Sequence, residues 1–324
     1  MNSTPTLHAR TKAFSRDYPL KSWWYILSTL FLLASALAGT FPSLPLPVRI
    51  GCSLLAGLLF VRFFVIYHDQ QHRSILPHSR MAELLMRLFG IVVLCPRTVW
   101  RANHDYHHAH NSLLRGVPIG SYPVMTKEQY RKSSGFQRFT YLSIRHPLTM
   151  LFGYVTVFLI SMVIIPLVRS PRRHYDCLLA LVLHFALGTF LVMMSGWLAL
   201  VLTMILPLSI ASALGAYLFY AQHTFPGVIL KEKGGWTYEG AALESSSHLK
   251  TGPILSWFTG NIGYHHIHHL NHRIPFYRLP EAYRAMPEMR EAKTTSLKPG
   301  DILRCLRLKV WCVETQSMTG VRGL

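Results

Sequence analysis

Residues 265–269 read His-His-Ile-His-His, and the spacing of these histidines is the most informative feature of the sequence. Two related motifs precede it, His-Asp-Gln-Gln-His at 68–72 and His-Asp-Tyr-His-His at 104–108. Residues three and four positions apart share one face of a helix. The first motif therefore presents two imidazoles one turn apart, and each of the others presents three. Eight convergent nitrogens exceed the six positions of one octahedral ion, which favours two metal ions.

The chain around these motifs has the composition of a membrane protein. Of its 324 residues, 50% are hydrophobic and only 15% are charged, whereas soluble domains carry about 25% charged residues. The formal net charge of +19 is not accompanied by a basic helix with interleaved aromatics or an RNA-binding signature, which excludes nucleic acid as the expected partner. Basic loops that face an anionic cytoplasmic leaflet explain the charge.

The five cysteines form no CxxC pair, and none lies beside a histidine motif. This pattern predicts free thiols and indicates neither a disulfide framework nor a thiolate metal site.

Four segments are predicted to span the bilayer, because each approaches the roughly 20 apolar residues that a 30 Å hydrocarbon core needs. They are Trp23–Leu44, Ile50–Tyr67, Cys177–Met194 and Trp197–Tyr220. Met81–Cys95 is shorter and is expected at the interface or as a re-entrant piece.

Leu148–Val168 is also long enough to cross, but the three motifs must lie on one side of the membrane to share a site. The number of crossings between the second and third motifs must then be even. The basic loop Arg169–Arg173 is expected on the cytoplasmic side. We therefore expect Leu148–Val168 to be embedded without crossing, and Cys177–Tyr220 to form a hairpin that turns near Ser195-Gly196.

Ten histidines lie outside the eight positions of the three spaced sets. His223 lies at the end of the last predicted span, on the same side as the motifs, and is a candidate ligand. His110 and His266 lie off the ligand faces and are expected to help hold the ligand imidazoles through their other ring nitrogens. The rest are expected to serve packing or hydrogen bonding: His8, His78, His146, His174, His184, His248 and His272.

The donor set favours one kind of metal chemistry. Imidazole suits zinc, copper, iron and nickel, and a structural zinc site is usually closed by four ligands, often cysteines. Many nitrogens around two ions, with few carboxylates, fit an oxygen-activating di-iron site better. At the ends of membrane helices, such a site can act on an alkyl chain that enters from the bilayer.

At this point the motifs resemble a known family. The pattern HxxxH, HxxHH and HxxHH is similar to that of the membrane fatty acid desaturases. The block Thr259–Leu270, followed by Arg273-Ile-Pro-Phe-Tyr-Arg-Leu-Pro, resembles their acyl-lipid delta-12 and omega-3 branch. Phe219-Tyr-Ala-Gln-His223 resembles that branch's additional histidine segment, and Trp100-Arg-Ala-Asn-His104 resembles the lead-in to its second motif.

The resemblance implies an enzyme that uses O2, two electrons and a histidine-coordinated pair of irons to introduce a cis double bond into a fatty acyl chain. Resemblance to the acyl-lipid branch implies that this chain is linked to a lipid. Residue by residue, it implies nine iron ligands: His68, His72, His104, His107, His108, His223, His265, His268 and His269. Residues expected to support them are Asp69, Asp105, His110, Asn261 and His266.

The sequence departs from the family pattern in two places. The first motif usually reads His-Asp-Cys-Gly-His, whereas Gln70 and Gln71 stand here. Phe219 stands where acyl-CoA desaturases have an asparagine four residues before the additional histidine, which argues against that branch. No fused cytochrome b5 signature is present, so the resemblance implies electrons from a separate ferredoxin or cytochrome b5-type protein.

The expected architecture is an all-α integral membrane protein with about four transmembrane helices and a cytoplasmic helical cap that holds the di-metal site. One domain is expected over 1–324, with a cytoplasmic segment at 1–21, the membrane and metal-binding core at 22–270, and a cytoplasmic segment at 271–324. Two alternatives stay open: a related di-iron hydroxylase or carotenoid or alkane oxygenase, and a histidine-rich metal transporter. Transport predicts ionisable residues within the spans, and only Arg62 and His184 qualify.

Overall fold

A computed structural model of the chain describes residues 6–114 and 119–324. Its architecture is predominantly helical. The α-helices, in chain order from α1 to α16, are Leu7–Thr11, Pro19–Ala38, Leu46–Gln71, Arg80–Val92, Arg97–His110, Lys127–Lys132, Gly135–Ile144, Pro147–Leu151, Ile165–Arg169, Tyr175–Leu200, Leu206–His223, Tyr238–Glu244, Pro253–Phe258, His265–Leu270, Leu279–Ala285 and Pro299–Arg307. Two π-helical segments, Tyr154–Ile164 and Val201–Ile205, continue into α9 and α11.

Three helical stretches within the described residues are long and apolar enough to cross a membrane. They are α2, α3 and the continuous stretch Tyr175–His223. Helix α3 is the most buried of the three and packs against both α2 and α11. Its last turn, together with the next residue, carries the first histidine motif.

The third stretch is not one straight rod. Gly196 has φ 79° and ψ 177°, outside the helical region, in a conformation that favours glycine. A Cβ placed on Gly188 would lie 3.4 Å from Cδ1 of Leu200 and 3.9 Å from Sδ of Met204. Residues 188 and 204 would be about 24 Å apart on a straight helix, at 1.5 Å per residue. The chain therefore doubles back at Gly196, and the predicted turn at Ser195-Gly196 is confirmed.

Residues 147–169 form α8, the π-helical segment Tyr154–Ile164 and α9. This unit packs along α11, with the Cβ position of Gly153 only 3.0 Å from the carbonyl oxygen of Ser212. Its apolar helix Tyr154–Arg169 is shorter than the three long stretches. The expectation that Leu148–Val168 does not cross the bilayer stays a prediction.

Helix α5, which carries the second motif, is fixed at its N-terminus by a residue from another helix. One carboxylate oxygen of Asp176 accepts a hydrogen bond from the backbone N–H of Thr98 (3.0 Å), and the other accepts one from the Thr98 hydroxyl (2.6 Å). A carboxylate at this position satisfies an otherwise unpaired helical N–H and suits the positive end of the helix dipole. The first turn of α10 thereby orients the helix with three of the candidate ligands.

The expectation of an entirely α-helical fold needs correction, because the chain also has two small sheets. Strands β1 (His248–Lys250) and β2 (Thr294–Ser296) pair in parallel, and β3 (Val310–Cys312) and β4 (Ser317–Thr319) pair antiparallel. Each strand has three residues, too few to give an alternating pattern in the sequence. The backbone N–H of Leu249 also donates to the carbonyl oxygen of Gly263 (2.8 Å), which ties β1 to the start of α14.

Candidate metal centre

Nine histidines, from α5, α11, α14 and the C-terminal end of α3, meet in two groups. Within each group, one ring nitrogen per residue lies within 4.8 Å of all the others. The five-histidine cluster is His68, His72, His104, His108 and His268; the four-histidine cluster is His107, His223, His265 and His269. These are the nine residues that the resemblance implied as ligands.

Helical geometry explains how one motif serves two clusters. Successive residues are about 100° apart around a helix, so a residue at i+4 lies about 40° from the first on one side and a residue at i+3 about 60° on the other. On α5, His104 and His108 enter the five-histidine cluster, while His107 enters the four-histidine cluster. On α14 the assignment is reversed, because the pair at i and i+4 enters the four-histidine cluster and His268 enters the other.

In the five-histidine cluster the Nε2 atoms face one another. His104 Nε2 lies 3.0 Å from His68 Nε2 and 3.1 Å from His108 Nε2, which in turn lies 3.1 Å from His268 Nε2. His72 Nε2 is buried without a hydrogen-bond partner among the described residues. The ring of His72 packs 4.7 Å, centroid to centroid, from that of His108.

The four-histidine cluster has the same geometry. His265 Nε2 lies 2.9 Å from His223 Nε2 and 3.1 Å from His269 Nε2. His107 Nε2 lies 3.1 Å from His223 Nε2 and 3.3 Å from His269 Nε2. His223, the weakest of the sequence candidates, thus lies among the other three.

Hydrogen bonding does not account for these contacts. A ring nitrogen offers either one proton or one lone pair, so an Nε2 with two Nε2 neighbours satisfies at most one of them. Burial, and to a smaller extent the neighbouring imidazoles, holds the pKa of His104 and that of His268 well below the usual value. The rings are therefore neutral near pH 7, which is the form that binds metals.

A metal ion at the centre of each cluster resolves the conflict. Imidazole nitrogens lie about 2.0–2.1 Å from an ion such as zinc, so two ligands at right angles are about 3 Å apart. The observed separations of 2.9–3.3 Å match that spacing. The rings of His108 and His269, from different clusters, stack with centroids 4.3 Å apart. The residues present fit two ions held side by side.

A buried carboxylate orients the first motif. Asp69, 1% exposed, places Oδ1 3.1 Å from His68 Nδ1, and its Oδ2 accepts a hydrogen bond from the backbone N–H of Phe276 (2.6 Å). Asn261 donates to the carbonyl oxygen of the same Phe276 (3.2 Å). Asp69 thus contacts a cluster histidine, and Asn261 supports it through the backbone of one intervening residue.

Two other cluster histidines have partners on their Nδ1 atoms. His107 Nδ1 lies 2.6 Å from the Ser121 hydroxyl, and His223 Nδ1 lies 3.2 Å from the carbonyl oxygen of Ser245. Partners of this kind fix the tautomer so that Nε2 is free to bind metal. Neither serine was singled out in the sequence, because each is distant in the chain from the histidine it contacts and has no distinctive spacing.

The remaining supporting candidates lie away from the cluster centres. Asp105 is exposed and pairs with Arg101 (3.5 Å). His110 is exposed, stacks on Tyr106 with centroids 4.0 Å apart, and directs Nδ1 to that residue's carbonyl oxygen. His266 is fully buried among other aromatic rings and belongs to neither cluster.

His272 was expected to be a packing residue, yet it lies beside the five-histidine cluster. Its ring centroid is 4.8 Å from that of His72 and 5.4 Å from that of His108. It follows His268 by four residues, which is the signal that could have identified it, although α14 ends at Leu270. His272 also lines a cavity of about 370 Å³ that reaches His72 and His108.

We expect Asp69→Asn to lower metal affinity by about 10–100-fold, as is typical for partners that orient ligand imidazoles. The amide removes the negative charge that stabilises a donated Nδ1–H of His68. Asp105→Asn is the matched control, since it makes the same change on an exposed carboxylate of α5. Metal retention during stepwise chelator titration measures both. Equal metal retention by the two variants would contradict a role for Asp69 in orienting His68.

Comparison with known proteins gives the site its class. The sequence profile of the family described as "Fatty acid desaturase" matches residues 44–298. A "Fatty acid desaturase" of Bacillus subtilis (strain 168) is 29% identical over 278 residues, which cover 86% of this chain and 78% of the relative. The "sn-1 oleoyl-lipid 12-desaturase" of Synechocystis sp. is 23% identical over 83% of this chain and 76% of its own length.

A third relative, the "sn-1 acyl-lipid omega-3 desaturase (ferredoxin)" of Nostoc sp. (strain 36), is 25% identical over 76% of this chain and 69% of its own length. The structure itself shows two adjacent imidazole clusters that could each hold a metal ion, in a chain with helices long and apolar enough to cross a membrane. The chain belongs to the fatty acid desaturase family.

Proposed function

We propose that this desaturase binds two iron ions through all nine clustered histidines and introduces a cis double bond into a lipid-linked acyl chain. The observation that carries the proposal is the pair of adjacent clusters built from imidazole alone. Zinc sites of the structural kind are closed by four ligands, often thiolates, whereas nine imidazoles shared by two ions suit oxygen chemistry. The reaction consumes O2, two electrons and two protons, removes one hydrogen from each of two adjacent methylenes, and yields one alkene and two waters.

Bound at these clusters, the two irons would supply the O2 activation that C–H cleavage at unactivated methylenes requires. The protein's own contribution is to bind, orient and exclude water. The clustered imidazoles are nearly all buried, and Asp69, Ser121 and the Ser245 carbonyl fix three of them in orientation. An environment of this kind keeps ligand geometry constant between turnovers and limits side reactions with water.

The reacting part of the acyl chain is proposed to lie at the four-histidine cluster. A cavity of about 50 Å³ touches His107 and His223 and is lined by Phe219, Tyr122 and Leu230, among others. The ring centroid of Phe219 is 4.9 Å from that of His107. An apolar wall this close to the ligands suits methylene groups and fixes which carbons approach the metals. A lipid carrier is supported by the relatives from Synechocystis sp. and Nostoc sp., which are named as an oleoyl-lipid and an acyl-lipid desaturase.

The membrane arrangement belongs to the same proposal. We take α2, α3 and the two arms of the hairpin 175–223 as four spans, with both termini and the metal site cytoplasmic, in one domain over 1–324. The reversal at Gly196 supports two crossings in place of one long helix. Two electrons would come from a separate small redox protein of the ferredoxin or cytochrome b5 type, and one relative is named for ferredoxin.

Cysteine labelling tests the topology. Four of the five native cysteines are buried and Cys52 is half-buried, so the background is low. Ser170→Cys is expected to react with a membrane-impermeant maleimide only from the cytoplasmic side, whereas Ser195→Cys at the hairpin turn is expected to react only from outside. Reaction of residue 170 from outside would show that Leu148–Val168 crosses the bilayer.

Fatty acid analysis of an expressing host tests the reaction. Gas chromatography of derivatised lipids is expected to show a new cis alkene, at a fixed position, that is missing from cells carrying the His108→Ala variant. Hydroxylated or ketolated products without a new alkene would favour the oxygenase alternative. Metal accumulation by the host without any new lipid product would favour the transporter.

A further inference from the structure

A cavity of about 370 Å³ adjoins one side of the buried five-histidine cluster, and its lining differs from that of the pocket beside Phe219. Its floor includes His72 and His108, both members of the cluster, together with His272. Its rim carries Arg73 and Arg273, both exposed.

The charge around this opening is unbalanced. Arg101 is a third arginine on the cavity wall, and Asp105 is the sole acidic residue among the described residues that line it. Asp105 pairs with Arg101 at 3.5 Å, both side chains being well exposed. Arg73 and Arg273 have no ion pair with an acidic group among the described residues; instead, Arg273 Nη1 donates to the carbonyl oxygen of Arg73 (3.3 Å). The residues that line the opening therefore carry net positive charge, and two cluster histidines lie among them.

We propose that this opening, which we call the arginine rim (Arg73, Arg101 and Arg273), is the docking surface for an acidic one-electron carrier of the ferredoxin type. The inference rests on the proposed function, because it assigns the side on which the two electrons enter. Two reduced carriers dock in turn, and each gives up one electron and leaves oxidised. Reduction of O2 to two waters takes four electrons: two come from the acyl chain, and the two carriers supply the other two. Docking here brings the carrier to His72 and His108 without crossing the apolar pocket.

Charge complementarity selects this occupant. A rim of like charges raises the encounter rate of an oppositely charged partner by about 10–1,000-fold at low ionic strength, and mutation of rim charges acts mainly on the association rate and its salt dependence. The pocket beside Phe219 has a volume of about 50 Å³ and an aromatic wall, which suits the reacting methylene groups of an acyl chain and excludes a protein. The electron carrier is thus assigned to the opening beside the five-histidine cluster, and the acyl chain to the pocket beside the four-histidine cluster.

The test compares two charge reversals of equal size in the full chain, held in lipid nanodiscs. One variant is Arg73→Glu with Arg273→Glu; the control is Arg172→Glu with Arg173→Glu, two exposed arginines of the 169–173 loop. The probe is a purified acidic [2Fe–2S] ferredoxin, and its association rate and Kd are measured on both metal-loaded and metal-free protein. Metal-free protein gives a readout that does not depend on turnover.

We expect the rim variant to associate at least about tenfold more slowly at low salt, and to approach the wild type near 1 M salt, where the Debye length is about 3 Å. The control is expected to stay within about twofold of the wild type. Asp105→Asn, which removes the one acid at the opening, is expected to bind ferredoxin more tightly. Equal loss in both double variants, or no loss in the rim variant, overturns the proposal.

A small chemical reductant separates this proposal from the one on which it rests. With dithionite in place of ferredoxin, the rim variant is expected to form alkene at the wild-type rate, because its clusters are intact. If the wild type forms no alkene with either reductant, the proposed function fails whatever the binding result. If dithionite supports turnover and ferredoxin binding ignores the rim, the docking proposal alone fails.

Discussion

His108→Ala is expected to abolish alkene formation and to lower the iron bound per chain. His108 Nε2 lies 3.1 Å from the Nε2 atoms of both His104 and His268, so its loss opens the centre of the five-histidine cluster. Removal of a residue that only orients a ligand lowers metal affinity or activity by about 10–100-fold. Removal of the ligand itself is expected to lower them by more than the upper end of that range. Product formation and iron content, measured on the same preparation, report both effects.

The matched control lies two residues away on the same helix. His110→Ala removes an exposed imidazole that contacts Tyr106 and belongs to neither cluster. It is expected to keep its iron and its activity. If His110→Ala loses as much iron as His108→Ala, the effect belongs to α5 as a whole; full activity in His108→Ala would remove that residue from the ligand set.

Gly263→Ala is expected to destabilise the fold and to lower the amount of bound iron. A Cβ at this position would lie 2.4 Å from the carbonyl oxygen of Leu249, which is backbone and has no rotamer to change. Overpacking of this kind costs about 1–3 kcal/mol or more. It also forces β1 away from the start of α14, which carries His265, His268 and His269. Loss of iron and a lower Tm should therefore appear together.

Gly215→Ala in α11 provides the comparison, because a Cβ there meets no atom within 4 Å. Alanine in place of glycine within a helix is neutral or stabilising, by up to about 1 kcal/mol. The two variants make the same chemical change, but a Cβ has room at residue 215 and none at residue 263. A Gly263→Ala protein with unchanged Tm and iron content would contradict the close packing described here.

The clustering of the motif histidines could be predicted from sequence because helical spacing acts locally. Positions i, i+3 and i+4 fix which imidazoles of α5 and α14 face the same way before any tertiary contact forms. The turn at Gly196 could also be predicted from sequence. It follows from the even number of membrane crossings required between the second and third motifs, and from the small residues between two apolar segments. His223 was a candidate from its position alone, and the family resemblance added weight to it, because a single histidine at a helix end has no spacing of its own.

The features that could not be predicted from sequence depend on tertiary contacts. The sequence does not show that Asp176 fixes the start of α5, because the two elements are 78 residues apart and no periodicity links them. Asp105 and Asp69 occupy the same position relative to a histidine, yet one is exposed and the other buried, since the neighbouring segment around Phe276 covers only Asp69. The three-residue strands depend in the same way on partners brought from elsewhere in the chain.

The most direct test of the central claim is the metal content of the purified wild-type chain, measured by inductively coupled plasma mass spectrometry after preparation without chelators. Two adjacent clusters of five and four imidazoles predict close to two irons per chain. About one zinc per chain, with no iron, would contradict the proposed di-iron centre.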